Sequence, residues 1–123
     1  MDKKVLVIDD SATVRKQVRT ALTGHGFEII EATDGVEGLE AIASCQQLAA
    51  VICDVNMPRM DGLQMLRLVK AQDHLLALPV LMLTTEAQPA LVQQAKESGA
   101  KGWLVKPFKP EQLVAALRRL TTS

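Results

Sequence analysis

The chain has 123 residues, 48% of them apolar and 23% charged, which fits one soluble domain with a core of its own. Its 14 basic and 14 acidic side chains cancel, so the composition gives no electrostatic case for a nucleic-acid partner. The longest apolar stretch, residues 75–83, is too short to span a membrane and contains a proline, so no membrane partner is predicted.

The N-terminal residues predict a strand followed by a helix. Residues 4–8, KVLVI, form a short apolar run typical of a buried strand, and acids follow it at once, unlike a signal peptide. Helical spacing then predicts a helix from Ser11 to Gly24. Its apolar face consists of Val14, Val18, Ala21 and Leu22.

A second strand and helix are predicted next. Residues 27–30, FEII, read as a strand, and Asp34 begins a helix with Glu37 three places on, as in a capping box. The expected inner face of this helix consists of Val36, Leu39 and Ala43.

The third strand is the strongly apolar run 49–54, AAVICD, and a turn with proline and glycine follows it. Asp61 is expected to cap the next helix, whose core residues are Leu63, Leu66 and Val69. Met57 and Met60 are expected to anchor the turn. Cys45 and Cys53 lack metal-binding spacing, which indicates reduced thiols in a cytosolic protein.

The last part of the chain repeats the alternation. Strands are predicted at 79–84 and 102–106, and a weaker helix at 88–98 ends at Gly99. Pro110 begins the final helix. The apolar face of that helix consists of Leu113, Ala116, Leu117 and Leu120.

Five strand–helix units with strands this apolar predict an α/β fold, because both faces of the sheet need helices. A flavodoxin-like (βα)5 three-layer sandwich with parallel strand order 2-1-3-4-5 is expected. Residues 1–123 are expected to form this one domain, with no output domain attached.

Polar side chains end four of the predicted strands. Asp9 and Asp10 follow strand 1, Asp54 ends strand 3, Thr84 ends strand 4 and Lys106 ends strand 5. Because parallel strands deliver their carboxyl ends to one edge, these groups should meet there. Three carboxylates with one lysine suit Mg²⁺, a hard cation that prefers oxygen ligands. Phosphoryl transfer needs mainly positioning and charge neutralisation, and a carboxylate can accept the group covalently. Asp54 is the natural acceptor.

The chain resembles response-regulator receiver domains of the stand-alone chemotaxis (CheY-like) kind over essentially its whole length. The matching segments are VLVIDDS at 5–11, VICDVNMPRMDG at 51–62, LTTEA at 83–87 and GAKGWLVKPF at 99–108. The resemblance implies that Asp9 and Asp10 are the acidic pair, and that Asp54 is the phospho-acceptor. It also implies that Thr84 is the switch hydroxyl and Lys106 the family's lysine.

Finer roles are also implied by the resemblance. Asp10, Asp54 and the main-chain carbonyl of Asn56 would contact the metal, with Asp9 helping through water. Trp103 stands where the family more often has Tyr or Phe, and would turn inward as Thr84 moves toward the phosphoryl group.

Asn56 and Glu86 would tune the rate of dephosphorylation, and the Lys106–Pro107 bond would be cis. Output would pass through helix 4, strand 5 and helix 5 to an unidentified protein target.

The expected partner is a sensor histidine kinase or a phosphotransfer protein. The protein itself is expected to be a cytoplasmic monomer or weak dimer. It is not expected to be an enzyme that acts on outside substrates.

Two alternatives remain open. A phosphatase of the haloacid-dehalogenase type also uses an aspartate nucleophile, but in a DxD pattern on strand 1, whereas Asp9 and Asp10 are adjacent. A degenerate receiver that only binds partners would have lost an acid, the threonine or the lysine, and none is lost.

Overall fold

The computed structural model describes residues 2–45, 47–85 and 88–122. Five strands form one parallel sheet in the order β2-β1-β3-β4-β5, as predicted. The strands are β1 (Lys3–Ile8), β2 (Phe27–Ala32), β3 (Leu48–Asp54), β4 (Val80–Thr84) and β5 (Gly102–Val105). The helices are α1 (Ala12–Leu22), α2 (Gly35–Ser44), α3 (Gly62–Lys70), α4 (Pro89–Glu97) and α5 (Pro110–Thr121). A short 3-10 helix, Asp73–Leu75, was not predicted.

The core has two halves because successive strand residues point to opposite faces of the sheet. On β1, Leu6 and Ile8 pack toward α2 and α3, whereas Val5 and Val7 pack toward α1 and α5. All four side chains are fully buried, which explains why the strand reads as one continuous apolar run. The flavodoxin-like three-layer architecture is therefore confirmed.

Polar side chains begin three of the helices. The Ser11 hydroxyl accepts the Val14 N–H at 3.2 Å, and the Asp61 carboxylate accepts the Gln64 N–H at 2.8 Å. These are the bonds that satisfy otherwise unpaired amides at a helix start. The expected role of Asp61 as a cap is confirmed.

The start of α2 differs slightly from the predicted capping box. Asp34 accepts the Glu37 N–H at 2.9 Å, as expected. The Glu37 carboxylate reaches back to the N–H of Thr33, rather than to that of Asp34. The reciprocal bond is present, displaced by one residue.

The predicted inner face of α2, made of Val36, Leu39 and Ala43, was right only for Leu39. Ala43 is exposed and Val36 is only half-buried, whereas Gly35, Gly38 and Ile42 are buried. Leu39 is half-buried and packs against the core. The physical reason is close packing: a Cβ on Gly38 would lie 2.5 Å from Cδ1 of Ile8. The helix therefore turns its smallest residues toward the sheet.

Candidate functional site

The carboxyl edge of the sheet brings the predicted site residues together. Ile8 of β1 pairs with Cys53 of β3, so Asp9 and Asp54 follow side by side. Carboxylate oxygens of Asp9, Asp10 and Asp54 all lie within 4.8 Å of one another. The sheet register thus creates the acidic cluster that the sequence predicts.

Lys106 connects the two buried members of this cluster. Its Nζ lies 2.8 Å from Oδ2 of Asp9 and 3.3 Å from Oδ1 of Asp54. The lysine side chain is only 14% exposed, and those of Asp9 and Asp54 are 1% and 7% exposed. Such burial of charge is costly unless the groups are paired and hydrogen-bonded, so Lys106 is essential to the arrangement in the absence of another cation.

The backbone around Asp9 is held by α1. Oδ1 of Asp9 accepts the N–H of Ser11 at 2.9 Å, and Nη1 of Arg15 donates to the Asp9 carbonyl at 2.6 Å. These bonds leave Asp9 fixed and fully buried, while the adjacent Asp10 is exposed. One member of the pair therefore faces the protein and the other faces solvent.

Burial and neighbouring charges shift the pKa values of Asp54 and Lys106. Burial, followed by the negative charge of Asp9, raises the pKa of Asp54 despite the nearby Lys106. Burial acts to lower the pKa of Lys106, but the hydrogen bond and charge of Asp9, together with Asp54, outweigh it and raise that pKa. The raised pKa of Lys106 thus reflects the negative charge around it, whereas the raised pKa of Asp54 comes first from burial and only then from the charge of Asp9.

The donor set fits a divalent cation. Three carboxylates face one ammonium group, so two negative charges remain uncompensated. All the ligand atoms are hard oxygens, and exposed Asp10 leaves room for water in the coordination shell. Mg²⁺ favours a few carboxylates with several retained waters. The residues present therefore fit Mg²⁺.

The two residues predicted to act as a switch lie on β4 and β5, the strands beyond β3 in the sheet. Thr84 ends β4 and is fully buried. Trp103 lies on β5 opposite Met82, and its half-buried ring packs against the core on the side of α3 and α4. Its indole Nε1 is buried without a hydrogen-bond partner, which is uncommon for a buried donor.

The other residues predicted for the site have different outcomes. Asn56 is exposed in the loop after β3, two residues beyond Asp54. The Lys106–Pro107 bond is cis, as the resemblance implied. Glu86 lies outside the described residues.

Sequence reasoning missed one contact beside the site. Nε of Arg59, in the loop between β3 and α3, lies 2.7 Å from Oδ2 of Asp34 at the start of α2. No sequence pattern marks such a contact between two segments 25 positions apart. A large apolar groove of about 1000 Å³ was also not predicted, but it lies at the opposite edge of the sheet, near Leu48 and Pro79.

The comparisons with known proteins agree with this geometry. Residues 5–118 match the model of the response regulator receiver domain. The chain is 38% identical to the chemotaxis protein CheY1 of Helicobacter pylori over 111 residues, which is 89% of this chain and 90% of that protein. It is 37% identical to a CheY homologue of Campylobacter jejuni, over 89% of this chain and 85% of that one.

Solved structures of response regulators have the same fold as this chain. The structure of Vibrio cholerae CheY4 superposes with a TM-score of 0.91 at 42% identity, covering 98% of this chain and 99% of that one. A putative response regulator from Chloroflexus aurantiacus gives a TM-score of 0.92 at 32% identity, covering 98% of each chain.

The parallel sheet with an acidic cluster at its carboxyl edge defines a receiver domain. The chain belongs to the response-regulator receiver family, and its relatives include CheY proteins of chemotaxis. None of the helices within the described residues is long and apolar enough to cross a membrane.

Proposed function

We propose that this protein is a two-component response regulator that accepts a phosphoryl group on Asp54 in a Mg²⁺-dependent reaction. The observation that supports this most directly is the position of Lys106, whose ammonium group lies between Asp9 and Asp54. Four strands supply the groups of one site, as phosphoryl transfer requires for positioning and charge neutralisation.

The chemistry is a transfer to a carboxylate. An oxygen of Asp54 attacks the phosphorus of a phosphohistidine on the donor protein, and a new P–O bond forms as the P–N bond breaks. The electron pair of that bond returns to the imidazole nitrogen, which takes up a proton. Lys106 and the Thr84 hydroxyl then face the phosphoryl oxygens and hold them. Water later attacks the phosphorus, which releases phosphate and restores the carboxylate.

The metal site would use oxygen atoms of this chain. We assign Asp10, Asp54 and the main-chain carbonyl of Asn56 as direct ligands, with Asp9 acting through water. Held by these oxygens, Mg²⁺ would supply the positive charge that balances the phosphoryl oxygens. Asn56 and Glu86 would set how quickly water removes the phosphoryl group.

The output surface in this proposal is the face formed by α4, β5 and α5. Of the nine residues of α4, only Ala95 is buried, so few apolar contacts hold the helix in place. A small cavity of about 180 Å³ lies between α4 and β5, with Trp103 in its lining. Movement of Thr84 and Trp103 on phosphorylation would shift the population of states at this face and change its affinity for a protein target.

The similarity to chemotaxis proteins extends the proposal to partners. A sensor histidine kinase or phosphotransfer protein would donate the phosphoryl group, and a protein would receive the signal. The chain covers 90% of the Helicobacter protein, and this receiver would act in the cytoplasm. It would catalyse only its own phosphorylation and dephosphorylation, as a monomer or weak dimer, with no nucleic-acid or membrane partner.

The test is the intact mass after incubation with acetyl phosphate, with and without Mg²⁺. Wild type should gain one phosphoryl group only when Mg²⁺ is present. The Asp54→Asn and Asp54→Ala variants should gain none. If wild type stays unmodified under every condition, the proposal fails and a module that only binds partners becomes the better reading.

A further inference from the structure

The loop between β3 and α3, residues 55–61, is closed at its base and strained at its tip. The Gly62 N–H donates to the Val55 carbonyl at 2.8 Å, and the Met60 N–H donates to the Pro58 carbonyl at 2.7 Å. Between Pro58 and Met60, Arg59 has φ of +65°. This left-handed conformation is unfavourable for a residue with a side chain. The loop therefore needs support from outside itself.

That support comes from the start of α2. Nε of Arg59 lies 2.7 Å from Oδ2 of Asp34, whose side chain is only 8% exposed. The other oxygen of the same carboxylate accepts the Glu37 N–H and caps α2. One buried carboxylate thus joins the loop to the first turn of a helix.

Packing supports the same attachment. A Cβ on Gly35, the first residue of α2, would lie 2.9 Å from Cβ, Cγ and the carbonyl oxygen of Met60. Met57 and Met60 also pack against the core beneath the loop, as anchors predicted from sequence. Apolar contacts hold the loop down, and the ion pair fixes its position along α2.

We propose that the Asp34–Arg59 ion pair is a positioning device that sets the backbone of loop 55–61 for Mg²⁺ binding. The inference rests on the proposed function, in which the Asn56 carbonyl of this loop is a metal ligand. Neither Asp34 nor Arg59 is one of the proposed metal ligands. Mg²⁺ demands near-ideal octahedral geometry, whereas Ca²⁺ tolerates irregular coordination. Loosening the loop should therefore weaken Mg²⁺ binding more than Ca²⁺ binding.

The experiment is a double-mutant cycle read by NMR titration with each cation. Asp34→Asn keeps an oxygen that can cap α2 but removes the charge, and Arg59→Ala removes the other partner. Each variant should bind Mg²⁺ about threefold more weakly and should show a smaller preference for Mg²⁺ over Ca²⁺. The double variant should be no weaker than either single one, because both remove one interaction. Arg67→Ala, an exposed arginine on α3, is the matched control and should bind both cations as wild type does.

The outcomes separate this inference from the proposed function. The inference is wrong if the losses of Mg²⁺ affinity in the two single variants add in the double variant. It is also wrong if thermal stability falls while the preference for Mg²⁺ over Ca²⁺ is unchanged, because the pair is then merely structural. Wild type that binds Mg²⁺ but forms no phosphoryl adduct would refute the proposed function, while the cycle would still decide the inference. Wild type that binds neither cation would refute both.

Discussion

Gly62 lies where α3 meets the end of β3, immediately behind the proposed phosphorylation site. A Cβ at this position would be 2.1 Å from the carbonyl oxygen of Asp54 and 3.0 Å from Cα of Val55. Both atoms belong to the backbone, so neither can rotate away as a side chain would. The absence of a side chain at residue 62 therefore allows α3 to begin directly against Asp54.

The Gly62→Ala substitution tests this contact. We expect it to lower the free energy of unfolding by about 2 kcal/mol, because the backbone must shift to accept the methyl group. It should also slow phosphorylation by acetyl phosphate, since the backbone at Asp54 would move. Urea unfolding and intact mass measure the two effects.

Gly38→Ala is the matched control. Its added Cβ would lie 2.5 Å from Cδ1 of Ile8, the far end of a flexible side chain, so the loss of stability should be smaller. A Gly62→Ala variant no less stable than Gly38→Ala would contradict the argument.

At the scale of the elements, Glu31 ties the edge strand β2 to helix α1. Its carboxylate pairs with Arg15 and Arg19, which stand one helical turn apart. The hydrogen bond from Arg19 is the main cause that lowers the pKa of Glu31 below its ordinary value of 4.5. A lowered pKa means that the ionised group stabilises the fold above pH 4.5, and that this stabilisation disappears as pH falls through the lowered pKa.

The Glu31→Gln substitution should therefore destabilise the protein only where the carboxylate is charged. At pH 7 we expect the free energy of unfolding to fall by about 0.5 kcal/mol, the size typical of partly exposed ion pairs. The difference in free energy of unfolding between the variant and wild type should shrink as the pH falls below 4.5. Urea unfolding midpoints at pH 7 and at pH 3 measure it, and Glu28→Gln on the same strand is the control. A difference that persists at low pH would show that packing, and not charge, is responsible.

The elements also show where sequence reasoning succeeds and where it stops. Strand ends could be placed because apolar runs stop abruptly at Asp9 and Asp54, and parallel strands share an edge. The inner face of α2 could not be predicted in the same way. Hydrophobicity favours Val36 and Ala43 as the buried residues, whereas the close approach of the helix to Ile8 requires a residue as small as Gly38.

Contacts made by loops were equally out of reach of sequence reasoning. The partner of Arg59 depends on the path of the chain between β3 and α3. That path follows from tertiary packing of the loop, and no local periodicity in the sequence reveals it.

At the scale of the whole molecule, the fold maintains a cluster of negative charge that opposes its own stability. Asp9 and Asp54 are buried together with one lysine, and exposed Asp10 adds a third carboxylate. Sites that must bind a ligand commonly sacrifice stability in this way. The protein without metal should therefore be less stable than its packing alone would allow.

The Asp54→Asn substitution should make the metal-free protein more stable by about 1 kcal/mol, because it removes one of the three carboxylates. Lys106 keeps its bond to Asp9 in this variant. Adding Mg²⁺ should narrow the difference, since a ligand that binds only the folded state stabilises it. Thermal unfolding in a chelator and in Mg²⁺ measures both effects. A variant less stable than wild type in the chelator would show that the cluster does not strain the fold.

The indole of Trp103 has one more consequence, which concerns how this molecule can be observed. The chain contains a single tryptophan, no tyrosine and two weakly emitting phenylalanines, so one ring on β5 dominates its ultraviolet fluorescence. That ring lines the cavity beside α4, and its N–H is buried without an acceptor. Any rearrangement of this face, or any partner that offers an acceptor, changes the surroundings of the dominant emitter. The protein thus contains its own optical probe at the surface proposed for output, and no label is needed to follow it in real time.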